Sequence, residues 1–574
     1  MKHIILFTLM IVNLGSCFGQ SHNDFRVTLD KFISKQKDKL KVTGVSVALM
    51  IDDEVILSKG YGYADKENHL LATDKTQYAV GSISKLATST AVLRLYSENK
   101  IDIDKPYVHY VPEFSMNKHF QENAPFTVRH LLAHFAGIPR VHAKGYSMKQ
   151  ERPLSRILEI SKKSYLIAPP GTVNQYSDWG TDLLAVLVEK VSGQGFEEYM
   201  EEAIFKPLAM HDSNYGFLQG TKSYNKSSLT PTYEYSYVGS DGLNSTAVDL
   251  MRLGQIYLNR GKSATKQFLN ENIAYSALTP QFEDAPLNFS KGQGLMWDIR
   301  QFGQFTRISK GGIHEPFYSM LYIIPELHMS LAICSNSNSS GAIHWRIYGE
   351  VIQHLSKKKK DQGTGTTHPP IRPEELSVNE MNKLAGVYST DEGIVNIEKK
   401  GRKFKITFEA MGKTFTGIPY SNNTIRIKAR LLGFIPIHIM DIFWREVNKE
   451  IVVGEQYANG HRSLGGVKIK RKTIPAEWQQ ALGKYQATNL QHDEYAHLRE
   501  IELKINKHQI LEISGQVEYP RKFPLQLALL PLSENLAIVP GYSFEFFAGE
   551  TIERFQRDGQ NVILLSGYEF TQIK

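Results

Sequence analysis

The chain changes its hydrophobic rhythm once. In its first three-fifths, helical and strand patterns alternate. Val45 to Met50 and Val55 to Leu57 are apolar runs on either side of Asp52-Asp53, which predicts a β-hairpin. From Ile83 the apolar positions Ile83, Leu86, Leu93 and Tyr96 recur at helical spacing, and Leu183 to Val191 predicts another helix. Tyr318 to Ile323 and Met329 to Cys334 predict paired strands joined around Pro325-Glu326. Later the period becomes two, as in Lys403-Phe404-Lys405-Ile406-Thr407-Phe408, Val467-Lys468-Ile469-Lys470 and Ile501-Glu502-Leu503-Lys504-Ile505. An α+β domain followed by an all-β region is therefore predicted.

The change falls at residues 356–375, where four lysines, Gly363-Thr364-Gly365, Pro369-Pro370 and Pro373 read as a linker. The period-two region contains a faint repeat. Gly386-Val387-Tyr388 is echoed by Gly483-Lys484-Tyr485, 97 residues on (483 − 386), and Gly466 by Gly567, 101 residues on (567 − 466). Two similar antiparallel barrels of about 100 residues follow from this, over 376–473 and 474–574, with Tyr388 and Tyr485 as core aromatics.

Composition narrows the function classes. With 574 residues, 41% hydrophobic and 22% charged, the chain is of ordinary globular make-up and long enough for about two to four domains. The net charge of +8 is weak for this length, and Lys357 to Lys360 supplies half of it, so nucleic-acid binding is not expected. Two cysteines, Cys17 and Cys334, allow neither a disulfide framework nor a cysteine-based zinc site, and Cys334 lies in an apolar strand pattern as a buried small hydrophobe. Met1-Lys2-His3, the apolar run Ile4 to Leu14 and the small residues Gly15, Ser16 and Gly19 predict a secretory signal over residues 1–20, too short to span a bilayer. Cleavage after Gly19 would release a soluble, exported protein, the favoured outcome. The alternative treats Leu14-Gly15-Ser16-Cys17 as a lipobox and attaches the chain to membrane only through a lipid on Cys17.

The candidate chemistry begins at Gly81-Ser82-Ile83-Ser84-Lys85, at the start of a predicted apolar helix. A serine and a lysine three residues apart project from one helical face, so the amine reaches the hydroxyl. A serine hydroxyl needs such a base to become a nucleophile. The spacing alone says little: Ser34/Lys37, Ser223/Lys226, Ser263/Lys266 and Ser356/Lys359 share it, and most such pairs are solvated helix faces. Ser82 is set apart by Tyr176-Ser177-Asp178 and Lys310-Gly311-Gly312 downstream.

That order of motifs resembles the serine β-lactamase and penicillin-binding-protein superfamily. Phe126 to Pro139, Pro170-Gly171, Glu189 to Gly193, Pro207 to Met210 and Gly242 to Leu250 resemble its class C-like branch, which includes D-aminopeptidases and esterases. The resemblance covers roughly residues 25–355, within a catalytic domain assigned to 21–355. It implies an antiparallel sheet flanked by helices, no cofactor or metal, and an acyl-enzyme on Ser82. Lys85 would hydrogen-bond the Ser82 hydroxyl and keep the local potential positive. Tyr176, pushed toward phenolate by Lys85 and Lys310, would shuttle the proton. Lys310 would hold the field and offer a charge to a substrate carboxylate. The backbone N–H groups of Ser82 and Ile313 would bind the oxyanion, with Gly311 and Gly312 leaving room for substrate. His130, His134 and Asp249 would be structural. Some D-aminopeptidase-like relatives carry two lipocalin-like barrels, one of which narrows the active site by a loop, and residues 376–574 are similar in size and pattern.

Three departures matter. Asp178 stands where the family usually has Asn. An ionised Asp only accepts hydrogen bonds, so amide recognition is weakened, and a pairing with Lys85 or Lys310 would keep a lysine protonated. Lys310 stands where many esterase-like relatives carry His, which points instead to a carboxylate-bearing ligand. Around Ile313 to Ser319 relatives often have a shorter turn, leaving His314 and Glu315 either against substrate or in solvent. The expected activity is an exported serine hydrolase acting on a small-molecule, peptide or ester substrate, cell-wall fragments included. It would be a D-Ala-D-Ala-type peptidase or D-aminopeptidase. The alternatives are a carboxylesterase and a non-catalytic binder of cell-wall fragments.

Overall fold

The protein is described here by a computed structural model. It covers residues 23–573 except 123, 145–152, 231–236, 359–371, 432–434, 458–460, 492–495, 519–521 and 543–546. The leader with its two cleavage alternatives, Cys17 and most of the linker lie outside the described residues.

The predicted hairpin around Asp52-Asp53 joins Gly44–Ile51 to Glu54–Asp65, and both aspartates take the left-handed conformation the turn requires. Gly44–Ile51 pairs on its other side with Met329–Ser335, itself paired with Phe317–Ile324. These strands sit inside a seven-stranded antiparallel sheet that runs in space from Leu70–Leu71 to Asp298–Phe302. Every residue of Gly44–Ile51 is buried because both faces of the sheet are covered. Val45, Val47, Leu49 and Ile51 face one layer, where Phe25, Leu29 and Ile33 of a helix over residues 23–40 meet Ile343, Ile347 and Val351 of the helix Gly341–Lys358. Ala48 and Met50 face the opposite layer.

That second layer is the larger core and carries the helices Ser84–Ser97, Asp178–Ser192 and Ala247–Leu258. Ser84–Ser97 is buried on nearly all sides, polar residues included, so each of these needs a partner. Ser84 Oγ donates to the Gly81 carbonyl (2.6 Å), Thr88 Oγ1 to the Gly239 carbonyl (2.6 Å) and Thr90 Oγ1 to the Leu86 carbonyl (2.8 Å). Cys334 is fully buried, and burial pushes its thiol up to about 12.

Residues 372–573 form two closed, eight-stranded antiparallel barrels, one from Gly386–Thr390 to Arg462–Lys468 and the next from Gly483–Ala487 to Tyr568–Gln572. Both interiors are filled by side chains, Tyr388, Phe404 and Trp444 in the first and Tyr485, Leu511 and Phe570 in the second. The opening glycines correspond as the repeat predicts: Gly386 and Gly483 take φ of +148° and +142°. The closing ones do not. Thr390 pairs with Gly466, whereas Ala487, its counterpart, pairs with Phe570 rather than Gly567. In the second barrel two residues, Ser566-Gly567, join the last two strands, whereas in the first the paired strands end at Gln456 and resume at Arg462.

Candidate active site

Ser82 lies in the 3-10 turn Gly81–Ile83, just ahead of the α-helix that begins at Ser84 and carries Lys85. The Lys85 ammonium is completely buried. It donates to Ser82 Oγ (3.1 Å) and to the Ser240 carbonyl (3.0 Å), and it pairs with Asp178 Oδ1 at 2.6 Å. Asp178 opens the helix Asp178–Ser192, whose N-cap Ser177 accepts the Gly180 N–H (2.8 Å). A carboxylate at this end of a helix is favoured by the positive end of the helix dipole.

Tyr176 precedes that cap, and its hydroxyl donates to Ser82 Oγ at 2.7 Å. Its ring has Lys85 Nζ 4.9 Å from the centroid, Lys310 Nζ at 5.3 Å and the Arg140 guanidinium at 5.8 Å. The His134 ring packs beside it, with centroids 4.7 Å apart.

Lys310 belongs to the strand Phe305–His314, which the neighbouring strand Asp298–Phe302 flanks only as far as Ser309. The following residues therefore present an open strand edge to the nucleophile turn. A Cβ on Gly312 would fall 1.9 Å from the Val80 carbonyl and 2.9 Å from the Ser82 nitrogen, and one on Gly81, at φ +53°, 2.6 Å from the Ile313 carbonyl. Only glycines let strand and turn approach so closely. Ile313 is half exposed, whereas His314 is buried, so its side chain does not face solvent.

The structure thus gathers Ser82, Lys85, Tyr176, Asp178, Lys310, Gly312 and Ile313 around one cleft. Sequence reasoning missed three neighbours, Asp182, Asp241 and Arg140, and gave a fourth, His134, a structural role. Asp182, one turn after Asp178 on the same helical face, accepts the Ser240 N–H at 3.0 Å. Asp241 is buried alongside. Arg140 supplies a third cation, and His134 receives the Ser177 N–H on Nδ1 (3.3 Å). The i, i+4 spacing of Asp178 and Asp182 was a readable signal; nothing local marks Asp241 or Arg140.

The charges are strongly redistributed. Burial alone would lower the Lys85 pKa, but Asp178, followed by Asp241 and Tyr176, raises it well above the ordinary lysine value. Burial raises the Tyr176 phenol, and the opposing pull of Lys85 does not reverse it, so the phenol keeps its proton; the expected push toward phenolate is outweighed by desolvation. Burial and the Lys85 charge bring Lys310 down to about 7. Burial brings the Asp241 carboxyl up to about 7 and raises Asp182 well above the carboxylate range. Burial, with Lys310 and Lys85 nearby, keeps His134 neutral. His130 caps the short helix Val128–Leu132 together with Thr127, and Asp249 accepts from Ser213 and the Asp212 backbone, so neither enters the cleft chemistry.

The chain is similar to several known proteins. Protein flp of Staphylococcus aureus (strain N315) is 28% identical over 219 residues, 38% of this chain and 43% of that protein. The putative penicillin-binding protein PbpX of Bacillus subtilis (strain 168) is 31% identical over 230 residues, 39% of this chain and 54% of the relative. The chain therefore spans about half the length of these curated relatives. Among solved structures, SurE with D-Leu superposes with a TM-score of 0.59 at 18% identity, over 78% of this chain and all of that one. The octameric penicillin-binding protein homologue of Pyrococcus abyssi gives 0.50 at 21% identity, over 77% of this chain and 99% of that one, and both matches show a shared fold. The family model described as Beta-lactamase matches residues 29–350, more than half of the chain. With its motifs in order and its helix-flanked antiparallel sheet, the protein belongs to the β-lactamase family of serine hydrolases and penicillin-binding proteins.

Proposed function

We propose that the protein is a serine hydrolase working through an acyl-enzyme on Ser82, with a peptide or amide built on small or D-configured residues as substrate. The observation that carries this is the double grip on Ser82 Oγ, 3.1 Å from Lys85 Nζ and 2.7 Å from the Tyr176 hydroxyl. Ser82 Oγ attacks the substrate carbonyl carbon; the protonated Tyr176 phenol turns its own proton toward the leaving group and takes the Ser82 proton as it gives that one up. The oxyanion that forms lies between the Ser82 and Ile313 N–H groups. Lys85, held charged by Asp178, stabilises negative charge beside the nucleophile. Tyr176 thus ends each step protonated as it began, and water then releases the acyl group by the reverse relay, its proton passing to Tyr176 as Tyr176 returns one to Ser82 Oγ.

Asp178 supports a second reading, a carboxylesterase. Its carboxylate is engaged by Lys85 and has no N–H to offer an amide carbonyl, whereas an ester makes no such demand.

The test is turnover of D-alanyl anilides and p-nitrophenyl acetate, together with labelling by a fluorescent penicillin. Ser82→Ala should lower kcat/KM about a thousandfold or more for every substrate that wild type accepts. Undiminished rates would exclude Ser82 as nucleophile, and an inert wild type would favour a binding protein. Anilide turnover selects the peptidase reading and ester turnover alone the esterase. Lys310 is charged below pH 7 and neutral above it. KM for carboxylate-bearing substrates should therefore rise with pH through 7, approaching tenfold per unit, while KM for p-nitrophenyl acetate stays level. Parallel profiles would remove Lys310 from carboxylate binding.

A further inference from the structure

The segment Pro139–Lys144 runs from the Tyr176-Ser177-Asp178 motif to the second barrel, which holds its far end. The Ser566-Gly567 turn joins Gln560–Leu565 to Tyr568–Gln572 with Leu565 directly opposite Tyr568, a two-residue connection with φ of +47° and +85°. Positive φ at both positions defines the tight hairpin turn whose twist matches its strands. The turn is docked on the catalytic domain. Ser566 Oγ accepts the Ala143 N–H (2.8 Å), and the Ser566 carbonyl accepts the Lys144 N–H (3.1 Å). Ala143 is fully buried within the apolar core of the barrel. The His142 ring lies so close over Gly567 that a Cβ there would fall 2.0 Å from it.

The near end of the same segment builds the active site. The Arg140 carbonyl accepts the N–H groups of Asp178 (2.9 Å) and Trp179 (3.2 Å), and the Pro139 carbonyl accepts the Ser177 hydroxyl (2.7 Å). The Arg140 guanidinium reaches the Tyr176 ring, and His142 meets the Trp179 ring edge-on, with centroids 5.8 Å apart. Only Val141 therefore separates Arg140, which contacts the Tyr176-Ser177-Asp178 motif, from His142, the first residue that contacts the barrel.

We propose that the Ser566-Gly567 turn is a positioning device for the catalytic cleft: by fixing His142 and Ala143 it sets the placement of Arg140, and through it of Tyr176 and Asp178. The second barrel is thus a support of the active site. Its influence on turnover rests on the hydrolase reading above, whereas its influence on the backbone at Asp178 does not.

An internal control exists in the same barrel. Gly559 occupies another tight turn, Asp558-Gly559, at φ +75°, where an added Cβ would meet nothing within 4 Å. Gly559→Ala and Gly567→Ala therefore impose similar backbone strain, but only the second pushes on the catalytic domain. Hydrogen exchange at the Asp178 and Trp179 amides is the primary readout, with kcat and KM on any accepted acyl donor as the second. Gly567→Ala should speed exchange at both amides and lower kcat by about tenfold to a hundredfold, as expected for a small misplacement of reacting groups, whereas Gly559→Ala leaves both at wild-type values. Adding His142→Ala to Gly567→Ala should restore part of the lost protection and rate, because it removes the clash. Identical exchange at these amides in the two alanine variants would overturn the proposal, as would identical kcat where wild type turns a donor over. Faster exchange in Gly567→Ala, with wild type inert toward every donor, would support the positional link and defeat the hydrolase reading instead.

Discussion

The two barrels are one plan carried out twice. Each is preceded by a short helix, Val378–Leu384 or Ala476–Gln480, which drops a large apolar side chain into the barrel end: Met381 in the first, Trp478 in the second. Each opens on a glycine and then a tyrosine whose hydroxyl reaches back one turn, Tyr388 to the Leu384 carbonyl and Tyr485 to the Ala481 carbonyl. The barrels part company in how they treat buried acids and how they meet the catalytic domain. In the first, Asp441 is gripped by Arg426 through two bonds of 2.8 and 2.9 Å, with His438 at 3.0 Å. In the second, Glu550 is buried with Ser566 Oγ donating to it at 3.2 Å, and burial pushes its carboxyl up to about 8. The first barrel rests on the catalytic domain through apolar packing, Val452 and Val467 against Ile167 and Val173 and the Phe443 ring against Phe289. The second inserts a hydrogen-bonded turn. A scaffold can thus be copied while its interfaces diverge, because the plug, the opening glycine and the tyrosine bond serve closure, and the rim is left to serve contact.

Three measurements break or sharpen this comparison. The largest effect is expected at the plugs. Trp478→Ala should destabilise the second barrel by about 4 kcal/mol, and Met381→Ala the first by about 2 kcal/mol, since the cost follows the volume removed. Chemical denaturation of each variant would show it, and equal losses would mean that the ends are not equivalently packed. The pH dependences come next and have opposite signs. Burial alone would raise Asp441, but Arg426, with His438, holds it below the ordinary value, so the first barrel should lose stability as pH falls through about 4. Glu550 is raised, so its folded state binds more protons than the unfolded chain between about pH 4.5 and 8. The second barrel should therefore weaken as pH rises across that window, by up to about 1.4 kcal/mol per unit, and Glu550→Gln should flatten the slope. Calorimetry from pH 3 to 9 would follow both transitions; a slope unchanged in Glu550→Gln would place the titration elsewhere. The smallest effect concerns the tyrosines. Tyr388→Phe and Tyr485→Phe should each cost about 1 kcal/mol, the same in both barrels if the repeat is as close as its geometry shows.

The division of the chain, the hairpin around Asp52-Asp53, the strands around Pro325-Glu326 and the two-barrel repeat were legible because each rests on local period and turn chemistry. Ser82 and Lys85 were legible for the same reason, being one helical turn apart. The offset of the closing strands misled because Gly466 and Gly567 resemble each other locally, whereas register is decided across a barrel by partners far away in sequence. The protonation of Tyr176 could not be read either: it depends on the balance of burial against Lys85, which exists only once both are enclosed.

By itself, then, the sequence determined the hairpins and helices around the motifs, their order and the motif residues that meet in the fold, since these follow from spacing along one chain. Tertiary structure alone decided that Asp178 takes Lys85 as its partner, that Asp182, Asp241, Arg140 and His134 crowd the same site, and that a turn of the second barrel hydrogen-bonds to Ala143. Those outcomes depend on desolvation and on contacts between residues hundreds of positions apart, and neither quantity has a value until the chain is folded.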